Sequence, residues 1–378
     1  MINLTLCLLI PAVYIYLRAV RPLAWPWWAK AATGTLLLPP TLRYVLLKQA
    51  GGSYFAPAVA PWVLYGSAAI FIAFLLYFGC VFAGQMLRSI ILRRMAAWQK
   101  LPPDKQQRIF NKLHLALVPA TLLLSAWGVH CGLAQPEVRQ ISLPFPIDKP
   151  LRIALLSDMH VSPARSPEFV RGIVRSINEQ QPDIVTIVGD FVDGSPEDCA
   201  AHLAPLRELR APLGVYGVSG NHDYYSGYAR WRPVLSSLGI RMLDNAHTSL
   251  PRPHALTLAG ITDESASFEK AEMPDLAKAL RGAPADQPIL LLAHRPIVAR
   301  EAAPHGVRLQ LSGHLHGGLV WGLGLAVAAA DAGYRAGLYR VGNMQLYVTS
   351  GAGSSARTPL RLGAPTEIVI LELAPEHS

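Results

Sequence analysis

Two histidines, His314 and His316, lie two residues apart in the stretch GHLHGG at residues 313–318. Imidazole nitrogens bind transition metals and exchange protons near neutral pH. The glycines on both sides leave room for a backbone or a phosphate group to approach closely. Glycine runs are also typical of simple turns. The stretch by itself is therefore compatible with a metal site and with a surface turn.

Similar polar residues recur in the second half of the chain, each time at the end of a predicted buried strand. These strands are LRIALLS (151–157), DIVTIVGD (183–190), GVYGVSGNHD (214–223), PILLLAH (288–294) and VRLQLSG (307–313). The polar residues at their ends are Asp158, His160, Asp190, Asp193, Asn221, His222, Asp223, His294, His314 and His316. Any one of them could be a cap or turn residue. Because sites in open α/β sheets collect beyond the carboxyl ends of strands, the recurrence predicts one shared crevice.

The side chains in this set suit two divalent metal ions. Histidine, carboxylate and amide groups are donors that Mn, Fe and Zn all accept, so the identity of the metal stays open. Two ions about 3.5–4 Å apart can activate water and hold a phosphoryl group for in-line attack. A ligand shared by both ions must be a carboxylate with two oxygens, and Asp190 is the candidate.

The segments around these residues alternate between strand and helix patterns. In SPEFVRGIVRSINEQ (166–180), a serine cap and a proline at the first helical position precede apolar residues at helical spacing. A second helical pattern covers 197–210, and further strands are predicted at 255–261, 344–351 and 366–373. This alternation predicts a layered α/β domain. By itself it favours a single doubly wound sheet.

The first part of the chain is strongly apolar. Residues 61–87 and 113–134 carry no charge over 27 and 22 positions, and a bilayer crossing needs about 20 residues. Residues 1–17 form a shorter apolar run, and prolines and an arginine interrupt residues 31–47. We therefore predict a membrane anchor with three to four transmembrane helices in residues 1–134.

The net charge of +9 is unevenly distributed. Residues 1–112 hold twelve Lys or Arg and one acid, Asp104, so the remainder of the chain has a balance of −2. Seven of the basic residues lie in 88–112, which the positive-inside rule places in the cytoplasm. The span at 113–134 then runs outward, so the part of the chain after it is predicted outside the cytoplasm. Arg18 and Arg21 follow the first apolar run, which favours a retained span over a signal peptide.

The motifs DMH (158–160), GDFVDG (189–194), GNHD (220–223), His294 and GHLH (313–316) resemble, in order and spacing, those of the calcineurin-like metallophosphoesterases. The resemblance covers about 60% of the chain, roughly residues 150–375. It implies a two-sheet β-sandwich flanked by helices, and metal-dependent hydrolysis of phosphoester or pyrophosphate bonds. The predicted domains are an anchor at 1–134, a linker and edge strand at 135–150, and a metallophosphoesterase domain at 151–378.

The resemblance also implies a role for each matching residue. One ion would be bound by Asp158, His160 and His316, the other by Asn221, His294 and His314, and both by Asp190. His222 would contact the phosphate and protonate the leaving oxygen, with Asp223 orienting it. Asp193 would hold a ligand or its loop, or be a plain turn residue.

The stretch 337–373 is similar to a membrane-anchored bacterial subgroup of this family. In that subgroup the residue after the second glycine of GHxHGG is often Gln, whereas here it is Leu319. The subgroup implies a lipid-linked or cell-envelope substrate, such as a UDP-diacylglucosamine-type molecule. The uncharged stretch 319–330 is predicted to be either a buried hairpin or an apolar loop that touches a bilayer or acyl chain.

Three other functions are compatible with parts of the sequence. A catalytically silent metal-binding scaffold or phospholipid sensor would keep the fold, although every predicted ligand position is filled. A transporter would need ionisable groups in its spans, and the two uncharged spans offer only His114 and His130 near their ends. A nuclease usually has a basic face, so no nucleic acid partner is expected. The oligomeric state stays open.

Overall fold

The computed structural model of the protein describes residues 2–90, 92–320 and 333–376. The chain packs into two compact units, Met1–His130 and Cys131–Ser378. The first unit contains the helices α1 (Ile2–Ile15), α2 (Trp27–Leu36), α3 (Leu38–Gln49), α4 (Pro61–Ile90) and α5 (Ala96–Gln99). Helix α6 (Pro103–Leu133) begins in the first unit and ends just after the boundary at His130. Among the described residues, α4 and α6 are long and apolar enough to cross a membrane by length and composition.

The apolar segment at 31–47 is divided between two helices, α2 and α3, which meet at Leu37. Pro39 and Pro40 follow within the first turn of α3. Proline is tolerated there because the first N–H groups of a helix have no intrahelical partner. The prolines therefore favour a new helix start in the middle of this segment.

The second unit contains two six-stranded mixed sheets. Its strands are β1 (Glu137–Phe145), β2 (Leu151–Leu156), β3 (Ile184–Val188), β4 (Val215–Val218), β5 (Ile240–Met242), β6 (Ala246–Leu250), β7 (Leu256–Gly260), β8 (Ile289–Leu292), β9 (Val307–Ser312), β10 (Gly337–Val341), β11 (Met344–Val348) and β12 (Glu367–Pro375). The strand orders are β1-β12-β2-β3-β4-β5 and β10-β11-β9-β8-β7-β6. Strands β2 to β5 run parallel, as do β7, β8, β9 and β11.

Helices cover the outer faces of both sheets. They are α7 (Pro167–Glu179), α8 (Pro196–Leu203), α9 (Asn221–Tyr225), α10 (Tyr228–Ser237), α11 (Leu276–Leu280) and α12 (Ala299–Ala302). The core between the sheets joins Leu155 and Val188 of the first to Leu258 and Leu311 of the second. The two-sheet sandwich implied by the family resemblance is confirmed, and the single doubly wound sheet is wrong.

Strand β2 shows why the sequence pattern alone was ambiguous. Ile153 and Leu155 point into the core between the sheets, whereas Ala154 and Leu156 pack against the helical layer. A strand buried on both faces reads as one continuous apolar run. Such a run does not show whether a helix or a second sheet covers each face.

Candidate metal centre

The predicted site residues of the five strand ends lie together at one edge of the two sheets. Backbone hydrogen bonds connect the loops that carry them. Asp158 N donates to Gly189 O at 3.0 Å, and His160 N donates to Asp190 O at 3.1 Å. The crevice is therefore built on loops that are tied to one another as well as to their strands.

The backbone is strained at these loops. Positive φ angles occur at Asp158 (53°), His160 (46°), Asp190 (54°), His314 (74°) and His316 (49°). These are five of the nine non-glycine residues with positive φ in the described part of the chain. Such conformations cost free energy and cluster at functional sites, where the surrounding structure maintains them.

Glycines make room for the acidic side chains of the site. A Cβ atom on Gly313 would collide with Ser157 Oγ and Asp158 Oδ2, and one on Gly220 would collide with Asp190 Oδ1. The glycine before His314 therefore allows a carboxylate to approach the loop closely.

One cluster of possible ligand atoms consists of Asp158, His160 and His316. The Nε2 atoms of the two histidines are 3.1 Å apart. Asp158 Oδ1 lies 3.6 Å from His316 Nε2 and 4.0 Å from His160 Nε2. All three residues point one donor atom toward a common point, as ligands of a single ion do.

A second cluster consists of Asn221, His294, His314 and Asp190. His294 Nε2 lies 3.1 Å from Asn221 Oδ1, 3.2 Å from His314 Nδ1 and 3.4 Å from Asp190 Oδ2. The structure therefore groups the predicted metal ligands into the two sets that the family resemblance implies.

Asp190 lies between the two clusters. Its Oδ2 atom is 3.6 Å from His160 Nε2 in one cluster and 3.4 Å from His294 Nε2 in the other. Its Oδ1 atom accepts a hydrogen bond from His222 N at 2.8 Å. A single oxygen of Asp190 therefore faces both clusters, while the other accepts a hydrogen bond from the backbone, and the role of Asp190 as a shared ligand stays a prediction.

The hydrogen bonds of two histidines leave one ring nitrogen of each facing the clusters. His294 Nδ1 donates to Val188 O at 2.8 Å, and His160 Nδ1 lies 3.1 Å from Asp193 Oδ1. The Nε2 atoms of both rings therefore face the clusters. Burial lowers the pKa of His294, but Asp190 raises it by more, to about 10, so a metal ion would have to displace the proton on its Nε2. Burial, aided by the charges of His294 and Arg295, lowers the pKa of His314 to about 4, so the His314 ring is neutral at neutral pH.

His222 contacts a different carboxylate from the one that was predicted to orient it. Its Nδ1 lies 2.5 Å from Asp193 Oδ1. Asp223, predicted for this role, accepts hydrogen bonds from Asp190 N, Phe191 N and Gly220 N. Because neighbouring residues in a helix point about 100° apart, Asp223 faces the helix start while His222 faces the crevice.

The sequence comparisons identify the family. The model of the family described as calcineurin-like phosphoesterase matches residues 151–318. An uncharacterized metallophosphoesterase of Helicobacter pylori (strain J99 / ATCC 700824) is 36% identical over 278 residues, which is 73% of this chain and 74% of that protein. The chain belongs to the calcineurin-like phosphoesterases. A transmembrane protein with metallophosphoesterase domain from Danio rerio is 32% identical, over 82% of this chain and 71% of that protein.

Family membership makes this phosphoesterase a hydrolase of phosphoric ester bonds, and its relatives use divalent metal ions. The clusters described above are where such ions would bind. The donor atoms fit, because each cluster offers nitrogen and oxygen atoms, which Mn, Fe and Zn all accept.

The Asp193–His222 contact leads to a prediction about pH dependence. Burial lowers the pKa of His222, but Asp193 and Asp190 raise it by more, to about 9. The family resemblance implies that His222 protonates the leaving oxygen, and in that role we expect activity to fall as the pH rises through the pKa of His222, because only the protonated ring can donate. We expect Asp193→Asn to move the alkaline limb of the kcat profile to lower pH. The measurement is phosphodiester hydrolysis from pH 5 to 10, and an unmoved limb would contradict the assignment of Asp193 to His222.

Arg361 is a buried residue beside the candidate site that the sequence analysis did not predict. It is 1% exposed and donates to His316 O at 2.8 Å, to His316 Nδ1 at 2.9 Å and to Ser354 Oγ at 2.9 Å. It therefore fixes both the backbone and the ring of one ligand. The sequence signal for Arg361 was a basic residue in the mostly apolar stretch 358–371. A basic residue in such a stretch is equally typical of an exposed position.

We expect Arg361→Met to lower Mn²⁺ affinity by about 10- to 100-fold, the usual cost of removing a group that orients a metal ligand. Isothermal titration of the metal-free full chain measures this directly. Arg340→Met removes an exposed arginine of β10 and is the matched control, with unchanged affinity. Equal affinities in the two variants would mean that Arg361 only supports the fold.

An aromatic pair lies beside His222. The ring of Tyr225 is 5.5 Å from the His222 ring, and Phe268, which is 72% exposed, packs against Tyr225 at 5.1 Å. The uncharged stretch 319–330 was predicted to be a buried hairpin or an apolar loop, and its residues 321–330 lie outside the described residues. The exposed Tyr225–Phe268 pair therefore supplies an apolar surface at the site.

Proposed function

We propose that this chain is a membrane-embedded phosphoesterase with a two-ion site, acting on phosphodiester or pyrophosphate bonds of a lipid-linked or cell-envelope molecule. The observation that carries the proposal is the position of Asp190 Oδ2 between the two ligand clusters. The proposed ligands of one ion are Asp158, His160 and His316, those of the other are Asn221, His294 and His314, and Asp190 is shared. Residues 1–134 form the proposed anchor, and residues 135–150 link it to the catalytic domain at 151–378.

In this mechanism the protein side chains hold the reacting groups. A bound pair of divalent ions supplies Lewis acidity and lowers the pKa of water. His222, held by Asp193, contacts the phosphate and donates its proton to the leaving oxygen. Asp223 keeps the loop of Asp190 in place through backbone N–H groups. Substitution of His222, Asp193 or Asp223 therefore tests one of these proposed roles at a time.

Two observations support the membrane anchor. Large apolar side chains of α4 and α6 face outward, including Trp62 (78% exposed), Leu123 (72%) and Trp127 (60%), as expected for helices surrounded by lipid. The Danio rerio relative is named a transmembrane protein, and its alignment covers 82% of this chain. Because residues 151–378 make up only about 60% of the chain, this alignment includes part of the apolar region.

The proposed location is the outer side of the cytoplasmic membrane. Residues 88–112, which connect the uncharged parts of α4 and α6, carry seven basic residues, and this favours a cytoplasmic position. A span at α6 then leads outward. A fluorescent reporter fused after Ser378 that is active only in the cytoplasm would contradict this placement.

The proposed substrate class combines a phosphoester or pyrophosphate with an apolar group, such as a UDP-diacylglucosamine-type molecule. The exposed Tyr225–Phe268 pair beside His222 supports it, because aromatic rings bind apolar or flat groups well. The anchor would keep the enzyme at the surface where such amphiphiles reside.

The test is hydrolysis by the purified full chain in detergent with added Mn²⁺. The substrates are a chromogenic phosphodiester, a chromogenic phosphomonoester and UDP-diacylglucosamine, each with and without a chelator. We expect chelator-sensitive turnover, with the lipid-linked pyrophosphate preferred. His305→Asn changes an exposed histidine away from the clusters and serves as the control. Bound metal without turnover of any substrate would favour a silent scaffold or phospholipid sensor instead.

A further inference from the structure

A polar pocket of the second unit lies beside the loop that carries His316. Its volume is about 250 Å³. Arg139, Arg335 and Glu367 form its charged walls, and small residues such as Gly317 and Ala364 form much of the rest. Pockets for drug-sized ligands measure about 300–1,000 Å³. The pocket therefore suits one compact polar group rather than a whole large ligand.

The walls of this pocket carry a positive balance. Two guanidinium groups face one carboxylate, and among the described residues Glu367 is the only acid in the walls. Glu367 is 5% exposed, and its Oε1 accepts hydrogen bonds from Thr349 Oγ1 and Ser350 N, both at 2.9 Å. Its Oε2 lies 3.6 Å from Arg139 Nη1. The buried carboxylate thus holds Arg139 at the pocket and leaves a balance of +1 for an anion.

The pocket adjoins a predicted metal ligand. Gly317 directly follows His316, and a Cβ atom on Gly317 would lie 3.2 Å from Ala364 Cβ and 3.4 Å from Ser350 Cβ. Consecutive Cα atoms are about 3.8 Å apart, so the wall begins one residue from the ligand. Arg361 Nη1 donates to His316 O at 2.8 Å and to Ala364 O at 3.4 Å. One guanidinium therefore holds both a ligand residue and a wall of the pocket.

A second ligand of the same cluster also lies close to the pocket wall. Ser350 lines the pocket and precedes Gly351. A Cβ atom on Gly351 would lie 2.7 Å from Asp158 Cβ, so the Ser350 loop packs directly against Asp158. A group bound in the pocket would thus be next to the cluster of Asp158, His160 and His316.

We propose that this pocket binds a phosphate group through Arg139 and Arg335. A guanidinium stays charged in proteins and donates paired N–H groups to phosphate oxygens. The phosphate comes either from the substrate, as a second group beside the one that is hydrolysed, or from free phosphate. Its assignment to the substrate rests on the proposed function, whereas binding of free phosphate needs no turnover.

Isothermal titration of the metal-free full chain in detergent with inorganic phosphate tests the pocket. Removing the metal prevents phosphate from binding to the ions themselves. We expect saturable binding, and Arg335→Met should raise the Kd at least about tenfold. Arg335 is exposed, so its loss should leave the fold intact. Arg340→Met removes an exposed arginine of β10 that does not line the pocket, and it should keep the wild-type Kd.

The second arginine makes the binding test more specific. Arg139→Met should also weaken phosphate binding, because the two guanidinium groups would share one anion. The absence of saturable binding by the wild type, or a wild-type Kd in either Arg335→Met or Arg139→Met, would overturn the proposal. The titration requires no catalysis, so its result is separate from the hydrolysis assay that tests the proposed function.

Steady-state kinetics of the Mn²⁺-loaded full chain distinguishes the two sources of phosphate. UDP-diacylglucosamine has two phosphate groups, whereas a chromogenic phosphodiester has one. If the pocket holds the second phosphate, Arg335→Met should raise KM for UDP-diacylglucosamine at least about tenfold more than KM for the phosphodiester. The effect on kcat should be smaller. Equal changes in the two KM values would overturn the assignment to the substrate and assign the pocket to free phosphate.

Discussion

Asp190→Asn is expected to lower kcat/KM for a chromogenic phosphodiester by at least about 1,000-fold, because the shared ligand supplies several kcal/mol of transition-state stabilisation. Burial raises the pKa of Asp190, but the neighbouring histidines, His294 first, lower it by more, so the carboxylate is charged at neutral pH. An amide of the same shape removes that charge. Steady-state kinetics with saturating Mn²⁺ measures the effect.

The metal content of the same preparations shows whether the loss has the expected cause. We expect the Asp190→Asn protein to hold less than the wild-type complement of Mn²⁺ after gel filtration. Asp198→Asn, an exposed acid whose side chain accepts from Ser195, is the matched control and should retain both metal and activity. Full activity in Asp190→Asn would remove this residue from the site.

His222→Asn is expected to lower kcat by about 100- to 10,000-fold, the usual range for loss of a general acid. The effect should depend on the leaving group. An ester of p-nitrophenol, whose oxygen needs little protonation, should lose less activity than an alkyl ester. Parallel kinetics with the two ester types, together with Mn²⁺ content, separates proton donation from metal binding.

Metal content is the control for the His222 variant. His222 is outside the proposed ligand sets, and its Nδ1 faces Asp193. The variant should therefore bind as much Mn²⁺ as the wild type. An equal loss for both ester types would assign His222 to phosphate binding alone, and a loss of metal would make it a ligand.

The position of the site was predictable because its residues sit at strand ends. Asp158, Asp190, Asn221, His294 and His314 each follow a different buried strand, and the structure brings all five to one crevice. Parallel strands deliver their carboxyl ends to the same edge of a sheet. The strand pattern and the residue types were therefore sufficient to predict the cluster, and the family resemblance divided it into two sets.

The contacts around the ligands were less predictable because they join residues far apart in sequence. Arg361 is 45 residues after His316, and Asp193 is 29 residues before His222. The family resemblance implied that Asp223 orients His222, whereas helix geometry turns Asp223 toward backbone N–H groups. Partners of this kind depend on loop conformation, which no local pattern specifies.

The arrangement of layers was also beyond the sequence pattern. Strands β2 and β3 are mostly apolar because both of their faces are buried. Strands β5, β6 and β10 went unpredicted, since β5 has three residues and both β6 and β10 are only partly buried. A continuous apolar run shows that a strand is buried on both faces, but it does not show whether helices or a second sheet cover each face.

Electron paramagnetic resonance of the Mn²⁺-loaded full chain tests the two-ion site most directly. We expect two Mn²⁺ ions to bind per chain and to give the spectrum of an exchange-coupled pair, which Asp190→Asn replaces with the six-line signal of isolated ions. A wild-type protein that saturates with one Mn²⁺ and shows only the isolated-ion signal would contradict the two-ion site.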